Sequence, residues 1–132
     1  MNRVVHFEIH AKDMDTLQKF YQDCFGWEVQ VMGKEYGGYR VLMSGSKEDV
    51  GVNGGMVLRK GDLPKDGAPV NAYVCIIGVK NIDEILRKVD AAGGTVATEK
   101  MDVPDVGLLA YRKDPEGNIF GILEPSPDMQ PK

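Results

Sequence analysis

The chain of 132 residues has little of what marks several special classes of protein. Its two cysteines, Cys24 and Cys75, are too few for a disulfide scaffold, and we predict that both are small buried apolar side chains. No apolar run approaches the ~20 residues of a membrane span, and the N-terminus lacks the apolar segment of a secretory signal. Lysine and arginine number 16 against 20 aspartates and glutamates, so no basic surface for phosphate backbones is expected. These absences predict a cytoplasmic protein with neither membrane nor nucleic acid as a partner.

Hydrophobic residues make up 42% of the chain and charged residues 27%, the balance of a globular protein. The length fits one domain over residues 1–132. That domain is built from a repeat at an offset of 68 residues, which pairs Ile9 with Ile77, Lys12 with Lys80, Asp15 with Asp83, Leu17 with Ile85, and Gly26 with Gly94. We predict a first module over about 4–59, a loop over 60–71, a second module over about 72–124 and a tail over 125–132.

Each copy is predicted to form a strand, a helix and three further strands. Val5, Phe7 and Ile9 alternate with polar residues, as in a strand with one apolar face. Asp13 is placed to begin the first helix and Gly26 to end it. The remaining predicted strands cover 27–32, 39–43 and 49–53 in the first copy, and 73–79, 95–99, 108–112 and 118–123 in the second, where Asn81 begins the helix.

A module of ~60 residues buries too little surface to be comfortably stable alone. We therefore expect the two modules to pack together, with each helix on the outer face of its sheet. The predicted fold is α+β, with two tandem βαβββ modules that form a curved mixed sheet, a half-barrel whose inner faces enclose a cup.

Three elements carry a resemblance to a known family. They are His6 at the first strand, the run from Phe20-Tyr21 to Gly26-Trp27, and the turn 114–118, which reads Asp-Pro-Glu-Gly-Asn before the last strand. Together with the repeated βαβββ pattern, they resemble the vicinal oxygen chelate superfamily. That superfamily includes glyoxalase I, the bleomycin-resistance proteins and the extradiol dioxygenases.

The resemblance implies a divalent metal at the floor of the cup, with ligands from the first and last strand of each module. Carried over by position, those ligands fall on His6, Asn53, Val74 and Gly121. Only His6 is an ordinary transition-metal ligand, whereas an amide oxygen suits harder cations and the other two offer no side-chain donor. We therefore expect no complete family metal site and no certain cofactor. The alternative is a weakly held divalent metal at His6, with help from Glu8 and Asn53.

Glu8 follows His6 on the same strand face, about 6.6 Å further along. The two side chains are candidates for an acid–base pair, because a carboxylate in an apolar cup tends to rise in pKa and can then abstract a proton beside a carbonyl. Tyr39 and Arg40 are candidate contacts for a planar or anionic ligand at the mouth of the cup, although one register step would exchange their faces. The predicted ligand-binding residues are His6, Glu8, Tyr39, Arg40, Asn53, Val74, Ile76, Ile119, Gly121 and Leu123.

The leading prediction is a protein of the glyoxalase and bleomycin-resistance type that binds a small, partly apolar organic molecule. The first alternative is a glyoxalase- or dioxygenase-like enzyme that uses a weakly held metal or Glu8 as general base. The second is a non-catalytic interaction or sequestering module. The resemblance also implies a homodimer.

Overall fold

A computed structural model describes residues 2–127, and the last five residues of the predicted tail lie outside that range. The chain divides into two compact units, with the boundary between Leu63 and Pro64, inside the predicted loop. Each unit has one α-helix and one mixed sheet, which confirms the predicted α+β class. No helix within the described range is long and apolar enough to cross a membrane.

The first unit follows the predicted order of elements. They are β1 (Phe7–Ala11), α1 (Met14–Phe25), β2 (Glu28–Val31), a short 3-10 helix (Lys34–Tyr36), β3 (Arg40–Met43) and β4 (Gly54–Leu58). The strand order across the sheet is β1-β4-β3-β2, and only the β1–β4 pair is parallel. The chain must therefore cross from β1 over one face of the sheet, and α1 makes that crossing.

Local signals set the ends of α1. The Asp13 carboxylate accepts a hydrogen bond from the backbone N–H of Thr16 at 3.0 Å, and Gly26 ends the helix with a φ of 70°. One face of the helix is buried through Leu17 and Phe20, while Tyr21 stacks on Trp27 at 5.0 Å between ring centroids. The core of the first unit therefore lies between α1 and one face of its sheet.

The second unit repeats this plan with one difference. Its elements are β5 (Ile76–Gly78), α2 (Ile82–Ala91), β6 (Thr95–Val96), β7 (Met101–Val103), β8 (Gly107–Lys113) and β9 (Ile119–Pro125). The order is β5-β9-β8-β6, with β7 also paired to β8, and β5 runs parallel to β9. The strand that follows the helix is thus broken into two short pieces, β6 and β7.

Side-chain hydrogen bonds close the ends of elements in the second unit. Asn81 caps α2 by accepting from the N–H of Glu84 at 3.1 Å. Asp114, which is 2% exposed, accepts from the backbone N–H groups of Glu116 and Asn118 and from the Asn118 amide, at 2.8–3.0 Å. The turn that carried the family resemblance is therefore a structural element, held by a buried carboxylate.

Three expectations from the sequence are wrong. The strand predicted over 49–53 lies at Gly54–Leu58 instead. Cys24 is buried as predicted, but Cys75 is exposed; it lies directly before β5, the edge strand of the second sheet. The predicted tail begins too early, since Pro125 is the last residue of β9 and the N–H of Ser126 donates to the carbonyl of Val106 at 2.9 Å.

Candidate functional site

The first sheet has one face covered by α1 and one face that the helix does not cover. Residues of β1 alternate between them, so that Ile9 and Ala11 face the helix, while His6, Glu8 and His10 project to the other side and are exposed. We call this second side the open face of the first sheet. The two candidate catalytic residues, His6 and Glu8, therefore lie together on it, as the alternation predicts.

Tyr39 joins them from the start of β3. Its hydroxyl lies 2.7 Å from Nε2 of His6, within hydrogen-bonding distance. The two rings are nearly parallel, with 6.5 Å between their centroids and 18° between their planes. The hydrogen bond joins residues 33 positions apart in the sequence and fixes His6 against the sheet.

The Tyr39 hydroxyl reaches this position because Gly55 has no side chain. Gly55 lies in β4, directly opposite Glu8 of β1 and Val41 of β3. A Cβ atom at Gly55 would overlap the hydroxyl and the adjoining ring carbons of Tyr39. The phenol therefore occupies the space that a side chain at position 55 would need, one strand away from Glu8.

Burial and Glu8 both act on the Tyr39 phenol. Burial is the largest cause that raises its pKa above the usual value, followed by the negative charge of Glu8 and a hydrogen bond to that carboxylate. Tyr39 therefore stays protonated at neutral pH and can donate its single O–H toward Glu8. His6, Tyr39 and Glu8 form one polar cluster on the open face.

Two other predicted residues lie elsewhere. Arg40 projects to the helix side of the sheet, where its guanidinium donates to Gln18 at 2.6 Å and pairs with Asp15 at 2.8 Å. The prediction that it joins Tyr39 is wrong, because neighbouring residues of a strand face opposite sides. Asn53 precedes β4, and its amide oxygen accepts from the backbone N–H of Ser44 at 2.9 Å. That oxygen holds the β3–β4 connection.

The remaining predicted residues belong to the second unit. Ile119, Gly121 and Leu123 alternate along β9 with the buried Phe120 and Ile122, so the three share the face of the second sheet away from α2. Gly121 pairs with Ile76 on one side and with Tyr111 on the other. Val74 lies two residues before β5 and is half-buried. At these positions the second sheet has apolar residues, where the open face of the first sheet carries the polar cluster.

The strand registers change which residues of the two modules correspond to each other. Gly55 is opposite Glu8, Gly121 is opposite Ile76, and Glu8 and Ile76 are separated by the repeat offset of 68. Gly55, rather than Asn53, is therefore the counterpart of Gly121. Both glycines lie against a tyrosine, since a Cβ at Gly121 would come within 3.1 Å of the Tyr111 ring. Sequence reasoning missed this pairing.

The donor atoms do not fit the metal centre that the resemblance implies. His6 is the one ordinary transition-metal ligand among the carried-over positions, and one of its two ring nitrogens, Nε2, is hydrogen-bonded to Tyr39. Asn53 is bonded to the backbone, while Val74 and the two glycines have no donor atom in their side chains. Within residues 2–127, no group of three or more His, Cys, Asp or Glu side chains is placed to hold a metal ion.

Three comparisons place this chain and its fold among known proteins. Residues 3–122 match the sequence model of the Glyoxalase/Bleomycin resistance protein/Dioxygenase superfamily. A protein of Mycobacterium tuberculosis (strain CDC 1551 / Oshkosh), "Putative glyoxylase CFP32", is 36% identical over 123 residues. That match covers 92% of this chain but 44% of the relative, so the chain spans less than half of its length.

Two solved structures share the fold at low sequence identity. The fosfomycin resistance protein FosX of Listeria monocytogenes is similar with a TM-score of 0.72 at 14% identity, covering 97% of this chain and 94% of that one. A glyoxalase I mutant of Zea mays is similar with a TM-score of 0.71 at 19% identity, covering 94% of this chain and 46% of that one. The fold and the sequence match agree, and the chain belongs to the Glyoxalase/Bleomycin resistance protein/Dioxygenase superfamily.

Proposed function

We propose that this protein binds a small, partly apolar organic molecule on the open face of the first sheet, without the complete metal centre of the family. The observation that carries the proposal is the row of side chains at the family's ligand positions. Nε2 of His6 is hydrogen-bonded to Tyr39, and Gly55 and Gly121, which lie against tyrosines, offer no donor side chain. The polar cluster replaces a coordination sphere with hydrogen-bonding groups.

The surroundings of the cluster favour a ligand that is part polar and part apolar. Val41 and Met43 of β3 and Val57 of β4 share the face with the cluster and are half-buried. Binding sites for small organic molecules typically combine apolar side chains with a few convergent polar groups. The name of CFP32 supports an oxygenated ligand, although this chain spans only 44% of that protein.

Metal content tests the first half of the proposal. The wild-type protein and His6→Ala would be dialysed against excess Zn²⁺ or Mn²⁺, passed over a desalting column and analysed by inductively coupled plasma mass spectrometry. We expect substoichiometric metal in both proteins. One metal ion per chain in the wild type, lost in His6→Ala, would contradict the proposal.

Proton NMR tests the second half, because the chain has only two histidines and their ring resonances are easily separated. A His10→Ala variant assigns the two signals. We expect 4-nitrophenol to shift the His6 ring resonances in a saturable way, with a smaller shift at His10. If neither 4-nitrophenol nor its methyl ether, 4-nitroanisole, shifts His6 at millimolar concentration, the proposed binding face is wrong.

A second candidate function is metal-free proton transfer, and the closeness of Glu8 to the protonated Tyr39 hydroxyl favours it. Glu8 would take a proton from a carbon beside a carbonyl, and the C–H electron pair would move toward the carbonyl oxygen. The Tyr39 hydroxyl, released by the now neutral Glu8, would turn and donate to that oxygen. Exchange of the hydroxyacetone α-protons in D₂O measures this reaction. We expect catalysed exchange in the wild type and none in a folded Glu8→Gln protein; equal exchange in both would exclude it.

The homodimer and the cytoplasmic location are also proposals, supported by the family membership and by the composition. Light scattering after size-exclusion chromatography should give twice the chain mass of 14.5 kDa. A mass of one chain at micromolar concentration would contradict the dimer.

A further inference from the structure

The hydrogen bonds of the polar cluster run in one direction. The Tyr39 hydroxyl has a single proton, and an ionised carboxylate such as Glu8 can only accept. When that proton points to Glu8, the contact of 2.7 Å between Tyr39 and Nε2 of His6 requires Nε2 to be the donor. The direction is therefore from His6 to Tyr39 to Glu8, and neutral His6 carries its proton on Nε2.

This direction fixes what the cluster offers to a ligand. With Nε2 donating, Nδ1 of neutral His6 is an acceptor, and Glu8 has lone pairs beyond those that Tyr39 uses. Among residues 2–127, the side chains of His6 and Glu8 have no hydrogen bond or ion pair to any residue other than Tyr39. Both side chains are exposed. An incoming molecule thus meets two acceptors and no free donor.

The charge of the cluster also disfavours ligands that are anionic. Glu8 is negative, and the guanidinium of Arg40 lies on the other side of the sheet, paired with Asp15. The nearest arginine along the open face, Arg59, is four residues beyond Gly55, about 13 Å along the strand. Its guanidinium donates to the backbone carbonyl of His10 at 2.9 Å. That carbonyl lies on β1 only two residues beyond Glu8, about 6.6 Å along the strand, so the Arg59 guanidinium lies at the border of the cluster and Glu8 is the charged group inside it.

We infer that the cluster selects neutral ligands that carry a hydroxyl donor, the phenols and enols, and excludes carboxylates. The hydroxyl of such a ligand donates to Glu8 or to Nδ1 of His6, and its ring or alkyl part lies over Val41 and Val57. A carboxylate of the same size brings only acceptors and a like charge to the site. The inference deepens the proposed function and rests on it.

Three probes of nearly equal shape separate the effect of the ligand's hydroxyl donor from the effect of its charge. They are 4-nitrophenol, which has the donor, 4-nitroanisole, in which a methyl group replaces the donor hydrogen, and 4-nitrobenzoate, which is an anion. Dissociation constants come from titration of the His6 ring resonances. We expect 4-nitrophenol to bind about tenfold or more tightly than 4-nitroanisole, the gain typical of a hydrogen bond to a charged acceptor. We expect 4-nitrobenzoate to bind most weakly of the three.

Two variants locate the preference at the cluster. Glu8→Gln removes the charge, so the ratio between 4-nitrophenol and 4-nitroanisole should fall severalfold and 4-nitrobenzoate should gain affinity. Glu28→Gln is the matched control, since Glu28 is also an exposed acid but lies on β2 at the opposite edge of the sheet. It should leave all three constants unchanged. Tyr39→Phe is a second variant if Glu8→Gln unfolds, and it should also weaken the preference.

The absorbance of bound 4-nitrophenol is an independent readout. At a pH near the phenol's own pKa, binding to the wild type should decrease the phenolate band, because acceptors and negative charge favour the neutral form. Equal affinity for 4-nitrophenol and 4-nitroanisole, or an increased phenolate band, would overturn the inference and leave the proposed function intact. If none of the three probes shifts His6, the proposed function itself fails.

Discussion

The close contact between Tyr39 and Gly55 makes a prediction that depends on the cluster alone. Gly55→Ala adds one methyl group at a position where the backbone does not require glycine, because its φ lies outside the left-handed region. The added Cβ would overlap the Tyr39 hydroxyl, so the ring must move away. The substitution therefore breaks the hydrogen bond between Tyr39 and His6 while both of these residues keep their identity.

The expected change in the free energy of unfolding is the sum of three contributions. Loss of the hydrogen bond costs about 1 kcal/mol. Partial exposure of the half-buried Tyr39 ring adds roughly 1–2 kcal/mol at ~25 cal/mol per Å². Alanine in place of a strand glycine stabilises the fold by about 0.5–1 kcal/mol, because alanine loses less backbone entropy on folding. Gly55→Ala should therefore lower the free energy of unfolding by about 1–2 kcal/mol.

A double-mutant cycle isolates the free-energy cost of the overlap between the added Cβ and the Tyr39 hydroxyl. In a Tyr39→Ala background there is nothing to displace, so Gly55→Ala should stabilise by about 0.5–1 kcal/mol. The coupling between the two positions is then about 2–3 kcal/mol. Urea denaturation followed by Trp27 fluorescence measures it, because the single tryptophan lies in the first unit.

Gly78→Ala is the control, since a Cβ at this strand glycine meets no atom within 4 Å. It should stabilise the protein slightly, as judged by circular dichroism. If Gly55→Ala stabilises the wild type as much as it stabilises Tyr39→Ala, the position of the hydroxyl described above is wrong. Equal His6 ring shifts in the wild type and Gly55→Ala would lead to the same conclusion.

Three further predictions concern the scaffold. Asn81→Ala removes the cap of α2 and should cost about 1 kcal/mol in urea denaturation, whereas Asn81→Asp should cost little. Asp114→Ala leaves buried backbone donors without an acceptor and should cost at least about 2 kcal/mol in the same assay, more than an alanine substitution of an exposed aspartate such as Asp62. The pKa of Asp13 is lowered by the hydrogen bonds from Thr16, so its stabilisation is complete above the unfolded pKa and is lost as the pH falls through the lower folded value. Below about pH 4 the wild type should therefore lose stability more steeply than Asp13→Asn, and parallel acid-unfolding curves would contradict this.

The sequence predicts the repeated scaffold because its signals are local. Asp13 and Asn81 begin helices that end near glycines, and alternation in β1 separates its two faces. Each of these signals requires knowledge of only a few neighbouring residues. The α+β class and the order of elements follow from them without any long-range contact.

The sequence pattern predicts the strand β4 too early in the chain, and the reason is physical. Two consecutive glycines, Gly54 and Gly55, usually indicate a turn, and here they begin a strand. Their small size is needed because Phe7 and Tyr39 lie directly over them; a Cβ at Gly54 would come within 2.6 Å of the Phe7 carbonyl oxygen. That requirement comes from residues far away in the sequence, so no local pattern reveals it.

The candidate site was predicted only in part. Alternation places His6 and Glu8 on one face, but the pairing of His6 with Tyr39 depends on the register between β3 and β4. The same register sends Arg40 to the helix side. A shift of one residue exchanges the two faces of a strand, and nothing in the sequence around 39–43 fixes that shift.

The glycine at position 55 also constrains how this chain could change over generations. An acidic residue at this position, where it could share an ion with His6, requires that the Tyr39 ring be truncated first. That first step loses the contact to His6 and gains nothing until the second substitution arrives. Each substitution alone is disfavoured, so an acidic ligand at position 55 becomes accessible to this chain only when both changes occur together.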